Sequence, residues 1–189
     1  GPYGEQDGFV CKLRPDGSAL VFCTYFGNED LGVIRDIDVD AAGNVYLITS
    51  AETGDFPDAW FSRSFQKHRR GKRDVLIAKL HASGSHVEWA TYLGGSGEEH
   101  NTNTIRLDRD GRHLYTLINT RSPDMPTPGG FDRKLGGRSD VHLAKLTVDG
   151  SRIVFGTYIG GSHAEGMENH HLLIAPTGEP VVTGGTHST

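Results

Sequence analysis

The sequence predicts an all-β fold built from a repeated unit, and three observations carry the prediction. First, the segment Asp74-Val75-Leu76-Ile77-Ala78-Lys79-Leu80 returns as Asp140-Val141-His142-Leu143-Ala144-Lys145-Leu146, with a looser copy at Asp7-Gly8-Phe9-Val10-Cys11-Lys12-Leu13. Second, each copy leads through a Gly-Ser turn into an aromatic line: Phe22-Cys23-Thr24-Tyr25-Phe26-Gly27, Trp89-Ala90-Thr91-Tyr92-Leu93-Gly94 and Phe155-Gly156-Thr157-Tyr158-Ile159-Gly160. Self-similarity at a long fixed period is the mark of a repeat architecture. Third, no window holds the 3.6-residue apolar period of an amphipathic helix, apart from a short stretch at 59–66 that suits a single helical turn.

The elements follow in order. Residues 9–13 and 20–26 are rich in Phe, Val, Leu, Thr and Tyr, which fit a pleated surface, and Pro15-Asp16-Gly17-Ser18 turns the chain between them. Residues 37–39 and 45–49 complete the first set around Ala41-Ala42-Gly43-Asn44. The second set is predicted at 75–80, 87–93, 105–107 and 114–118, and the third at 141–146, 153–159, 172–174 and 180–183. Their tight turns carry Gly84, Gly111, Gly150 and Gly178, the residue type that supplies a positive φ. The remaining connections, 28–36, 52–73, 96–104, 121–139 and 162–171, are long. Successive connections in an antiparallel meander lie at opposite ends of the strands. One end is therefore expected to carry only tight turns, and the other to carry the long loops where binding residues concentrate.

Composition limits the classes of function. The 189 residues suit a single domain, expected to span 3–189 as repeats at about 7–73, 74–139 and 140–189. Gly1-Pro2 matches the scar of a tag-cleaving protease. A formal net charge of -5 argues against nucleic acid as a partner. No apolar run reaches the roughly 20 residues of a membrane span, and no signal peptide is visible. Two cysteines, Cys11 and Cys23, sit on neighbouring strands around one turn. They face each other if that turn carries a bulge, and two readings stand: a pair of buried thiols, or a bridge that points to an oxidising compartment.

The Asp-x-x-x-Ala-Lys-Leu strand, the Asp-Gly-Ser turn, the Thr-Tyr-Leu-Gly-Gly-Ser segment and the Asp-x-x-Gly-Asn hairpin together resemble the bacterial seven-bladed-propeller repeat family, the SBBP repeats. Asp55-Phe56-Pro57, echoed by Asp124-Met125-Pro126, belongs to the same resemblance, which covers essentially the whole chain. It implies a β-propeller of four-stranded antiparallel blades in a secreted or surface protein, acting as a binding platform. It implies no catalytic set and no cofactor. In this phase the chain starts with the two outer strands of a blade, ends with two inner strands, and holds two whole blades between them. Propellers have about four to eight blades, and three blade equivalents leave three readings: a piece of a larger propeller, two chains joined head to tail as a six-bladed homodimer, or an open arrangement.

Departures from the family pattern mark the candidate site. Arg35-Asp36, Asn103-Thr104 and His170-His171 stand where small residues are usual, preceded by Glu98, Glu99, His100 and Asn101 in one copy and by His163, Glu165, Glu168 and Asn169 in the next. In a propeller these positions converge at the mouth of the axis, where a glycan or protein ligand is expected. His100, His163, His170, His171 and His187 with Glu168 are also zinc-type ligands, without a recognised zinc spacing. His170 or His171, a tyrosine and Arg35 offer a base and a charge neutraliser for a polysaccharide lyase at the mouth of the axis, the alternative to a binding module. The basic run His68-Arg69-Arg70-Gly71-Lys72-Arg73 suits a sulfated or uronic glycan. Trp60 and Phe61 suit either sugar stacking or a cap on the core, whereas Tyr25, Tyr92 and Tyr158, at one repeat position, are expected in the core. Asp38 and Arg106, equivalent in consecutive copies, are expected to compensate each other.

Overall fold

A computed structural model describes residues 7–27, 33–52 and 56–189, without the side chains of Asn101, Met167, Glu168 and Asn169. Gly1-Pro2, Asp55 and residues 28–32 of the first long loop lie outside it. The strands are β1 (Gly8–Leu13), β2 (Leu20–Phe26), β3 (Ile34–Val39), β4 (Val45–Ala51), β5 (Asp74–Leu80), β6 (Val87–Leu93), β7 (Glu99–Leu107), β8 (His113–Thr120), β9 (Asp140–Thr147), β10 (Ile153–Ile159), β11 (Glu165–Ile174) and β12 (Pro180–Thr186). The stretch at 59–66 contributes only a 3-10 turn, Asp58–Phe61. The architecture is all-β. Strands β3–β6 and β7–β10 form two four-stranded antiparallel meanders, and β1–β2 and β11–β12 form two-stranded sheets.

The register repeats from copy to copy. Cys11 faces Cys23, Ala78 faces Ala90, and Ala144 faces Gly156. Each outer hairpin shifts register just before its turn, between Lys12 and Leu13, Lys79 and Leu80, and Ile153 and Phe155. This is the bulge that lets small residues oppose one another. The turns share one chemistry: Asp16 accepts hydrogen bonds from the Ser18 amide and hydroxyl, and Asp149 accepts the same pair from Ser151. Gly17 and Gly150 follow with φ of 71° and 69°, where a Cβ is unfavourable.

Sheets stack in chain order. Val10 and Phe26 of the first pack on Leu47, Leu76, Ala78 and Tyr92 of the second, with Phe56, Phe61 and Trp60 closing the edge. Ile48, Val75, Ile77 and Leu93 of the second meet Ile105, Leu114, Ala144 and Tyr158 of the third. Leu117, Val141 and Leu143 of the third meet Leu172 of the fourth, with Val182 packed alongside. Each fully buried Leu or Ile contributes about 1.5–3 kcal/mol. The first strands β3, β7 and β11 lie side by side. Among the described residues the stack does not close on itself.

Three expectations change. Cys11 and Cys23 form a disulfide, and Cys23 is exposed rather than buried, because none of the described residues packs on the hairpin's outer face. Tyr92 and Tyr158 are buried as expected, but Tyr25 is exposed for the same reason. The segments read as loops at 96–104 and 162–171 are largely strand. Irregular pairing, between Glu99 and Asn103 and between Glu165 and His170, hid the alternation that marks a strand.

Candidate functional site

The long-loop end is organised by buried carboxylates. Asp74 accepts hydrogen bonds from Gln66 Nε2 (2.7 Å), the Arg70 amide (2.9 Å) and the Gly71 amide (3.0 Å), folding the basic run back on the head of β5. One oxygen of Glu99 accepts from Ser122 Oγ (2.6 Å) and Thr120 Oγ1 (2.8 Å). Burial pushes the Glu99 carboxyl up to about 7, against the pull of those two hydroxyls. At the equivalent Glu165, burial also raises the carboxyl, but hydrogen bonds from Ser188, the Gly161 amide and Thr186 outweigh it and hold it below the usual range.

Backbone pairing brings the cationic residues together. The Glu99 amide donates to the Arg73 carbonyl (2.9 Å), and the Arg121 amide donates to the Glu98 carbonyl (3.0 Å), so Arg73, Glu98–His100 and Arg121 lie side by side. His100 is held below the usual imidazole range by burial and by the charges of Arg121 and Arg73, against Glu98. Partial desolvation and the charge of Arg73 also lower Arg35. Glu52 pairs with Arg73, and Glu98 pairs with Lys72 at 3.4 Å. Arg121 and Arg138 border a cavity of about 470 Å³. Among the described residues, Arg73 Nε, His100 Nε2, Thr102 Oγ1 and Asn103 Oδ1 are buried here without a partner. Unsatisfied buried polar groups are rare in native structures. Guanidinium groups beside such atoms suit a ligand that brings carboxylate or sulfate oxygens.

The predicted residues do not all converge. Arg35 is exposed and shares a groove with Asp36. Asp36 is engaged between strands: its Oδ2 accepts the Ile105 amide (3.1 Å) and the Arg106 guanidinium. Asp38, expected to compensate Arg106, instead accepts the Leu107 amide (2.8 Å). The two aspartates stitch β3 to β7, and the counter-ion of Arg106 lies two residues along β3 from the expected one. Asn103 is buried and donates weakly to Ser50 Oγ (3.4 Å).

His170 is buried, with Nδ1 3.2 Å from the Gly166 carbonyl and Nε2 3.2 Å from the Leu117 carbonyl. Burial lowers its pKa. The neutral ring donates from one nitrogen to one of these carbonyls, and the other carbonyl covers the second nitrogen, so neither is presented as a base or a metal ligand. Its neighbour His171 is exposed on the other face of the strand. His163 and His187 are exposed, and His163 bonds Ser188 through its backbone. Among the described residues, no three His, Cys, Asp or Glu side chains gather to hold a metal. Asn101, Glu168 and Asn169 lie outside the described side chains.

The basic run divides. Arg70 pairs with Asp124 at 2.9 Å. Arg69, with Lys67 and His68, lines a separate cavity of about 220 Å³ against Phe61 and Tyr92. Trp60 stacks on Phe26 at 5.9 Å and meets Phe56 at a tilt at 5.8 Å, as part of the core edge.

Sequence reasoning missed Arg73 as distinct from its run, and missed Arg121 and Arg138. The available signal was positional: Arg121 follows β8 where Glu52 follows β4, a charge reversal at one repeat position. No family model and no curated protein sequence matches the chain.

Proposed function

We propose that the chain is an arc of a β-propeller and serves as a secreted or cell-surface binding module for an acidic glycan, uronic or sulfated. The propeller reading is supported by whole four-stranded meanders stacked face to face with their first strands adjacent, and by the repeat resemblance described above. The oxidising compartment is supported by the Cys11–Cys23 disulfide. The observation that carries the ligand class is the pair Arg73 and Arg121 brought beside His100 by backbone bonds, with the buried Arg73 Nε donor unpartnered among the described residues.

Charge-assisted hydrogen bonds contribute about 1.5–3 kcal/mol each. An Arg73→Ala, Arg121→Ala double variant is therefore expected to weaken binding to uronic or sulfated polymers on a glycan array by about tenfold or more. Neutral glycans should bind weakly in either form. Equal binding of neutral and acidic glycans refutes the ligand class, as does a double variant that binds like the parent. Growth of ultraviolet absorbance from an unsaturated uronate product would replace the binding module with a lyase.

A further inference from the structure

Two successive joints between sheets share one backbone arrangement and differ in charge. At the first, Arg73 and Glu98 form a parallel bridge, and the Glu99 amide donates to the Arg73 carbonyl (2.9 Å). At the second, Ser139 and Ala164 form the same bridge, and the Glu165 amide donates to the Ser139 carbonyl (2.9 Å). The strand ladders agree: Ala51 opposite Asp74 matches Thr120 opposite Asp140, so Arg121 stands where Glu52 does. Glu52, Lys72, Arg73 and Glu98 at the first joint therefore correspond to Arg121, Arg138, Ser139 and Ala164 at the second.

The first quartet neutralises itself. Arg73 pairs with Glu52, and Lys72 pairs with Glu98 at 3.4 Å. The second quartet keeps two cations and lacks both acids, with Arg121 in place of Glu52 and Ala164 in place of Glu98. These same four residues line the cavity of about 470 Å³, a volume within the range of small-ligand sites, about 300–1,000 Å³. Among the described residues, no ion pair joins Arg121 or Arg138 to a carboxylate. The buried acids of this joint are engaged by its own polar groups: Asp140 accepts the Gly136 amide, and Glu165 accepts the Thr186 and Ser188 hydroxyls. Arg121 and Arg138 are both exposed, so a ligand reaches them from solvent.

We propose that Arg121 and Arg138 form the seat for one oxyanion, a carboxylate or sulfate of the acidic glycan, which supplies the negative charge that Glu52 and Glu98 supply at the first joint. The ligand's class rests on the acidic-glycan reading above; the position of the seat rests on the comparison of the two joints. Guanidinium groups suit this role, because their planar donors match the oxygens of a carboxylate or sulfate.

The test is a calorimetric titration of inorganic sulfate and of a sulfated glycan fragment into the parent and its variants, each first checked for a parent-like unfolding midpoint. Arg138→Ala should weaken both probes by about tenfold or more, by removing a charge-assisted hydrogen bond. Ala164→Glu, which installs the acid found at Glu98, should weaken them by a similar factor, and the uncharged Ala164→Gln by less. Arg109→Ala removes the same charge from an exposed tight turn at the other end of the strands and should bind like the parent. Parent-like binding by Arg138→Ala or Ala164→Glu overturns the seat. So do equal losses in Ala164→Glu and Ala164→Gln, which trace the effect to bulk, or an Arg109→Ala variant as weak as Arg138→Ala, which traces it to net charge. If acidic glycans bind the parent, Arg138→Ala and Ala164→Glu alike, the acidic-glycan reading survives and the seat fails. If sulfate shows the expected losses while no glycan binds, the seat stands and the glycan reading fails.

Discussion

Replacing Glu99 by Gln should make the protein's stability respond differently to pH, and the size of the effect follows from the carboxyl's surroundings. Glu99 is fully buried, faces the Asp74 carboxylate, and is met by the Ser122 and Thr120 hydroxyls and the Gly95 amide. Its pKa rises from an ordinary 4.5 to about 7. The unfolded chain releases this proton near 4.5, whereas the folded chain keeps it until about 7. Across that window the folded state binds more protons, so this group's contribution to stability falls as pH rises. Each unit is worth about 1.4 kcal/mol, so the full loss is about 3 kcal/mol. Gln cannot ionise, and its carbonyl can still accept both hydroxyls. Urea unfolding of the two proteins from pH 4 to 8 should therefore show the Gln variant gaining about 3 kcal/mol on the parent as pH rises. A difference that stays flat, or that shrinks with rising pH, refutes the reasoning. Only the difference is diagnostic, because other groups titrate in the same range.

One of those groups is His142, fully buried with Nε2 3.0 Å from the Pro126 carbonyl and held at about 4 by burial. Here the unfolded chain takes up a proton near 6.5 that the folded chain refuses, so stability is lost as pH falls from about 6.5 to about 4. His142→Leu, the residue type of Leu76 at that position, should remove about 3 kcal/mol of this acid-side loss in unfolding experiments; an unchanged acid limb refutes it. Tyr158 accepts the Met125 amide (2.8 Å) and donates to the Ser122 carbonyl (2.6 Å) inside the core. Tyr158→Phe should cost about 1–3 kcal/mol in the same assay, by leaving both groups buried and unpaired, whereas Tyr25→Phe should change the unfolding midpoint little.

Strand positions were readable where β-branched and aromatic residues run between turn signals, as in β2, β6 and β10, whose limits match the sequence reading. They were unreadable at the heads of β7 and β11, where polar residues and irregular pairing remove the two-residue period. Candidate residues fared differently for a related reason. His170 and Asp36 are polar residues at a strand-rich centre, which suggested a ligand, yet they serve neighbouring backbone: His170 at two carbonyls and Asp36 at the Ile105 amide. Local sequence does not tell a polar group satisfied by the fold from one left for a ligand. Arg73 and Arg121 are close only because two backbone bonds join β5, β7 and β8 at their ends.

The sequence by itself determined the all-β class, the turn chemistry and the repeat phase, because these depend on residue type at short spacing: Gly at positive φ, Asp capping its own turn, and Ala, Gly or Cys at the narrow point of each outer hairpin. Only the tertiary structure decided that Cys11 and Cys23 are bonded, that Tyr25 is exposed while Tyr92 and Tyr158 are buried, and that Glu99 holds its proton near neutrality. Those outcomes depend on which sheet lies against each residue. Identical residues at identical repeat positions differ in burial when one of them stands at an end of the stack.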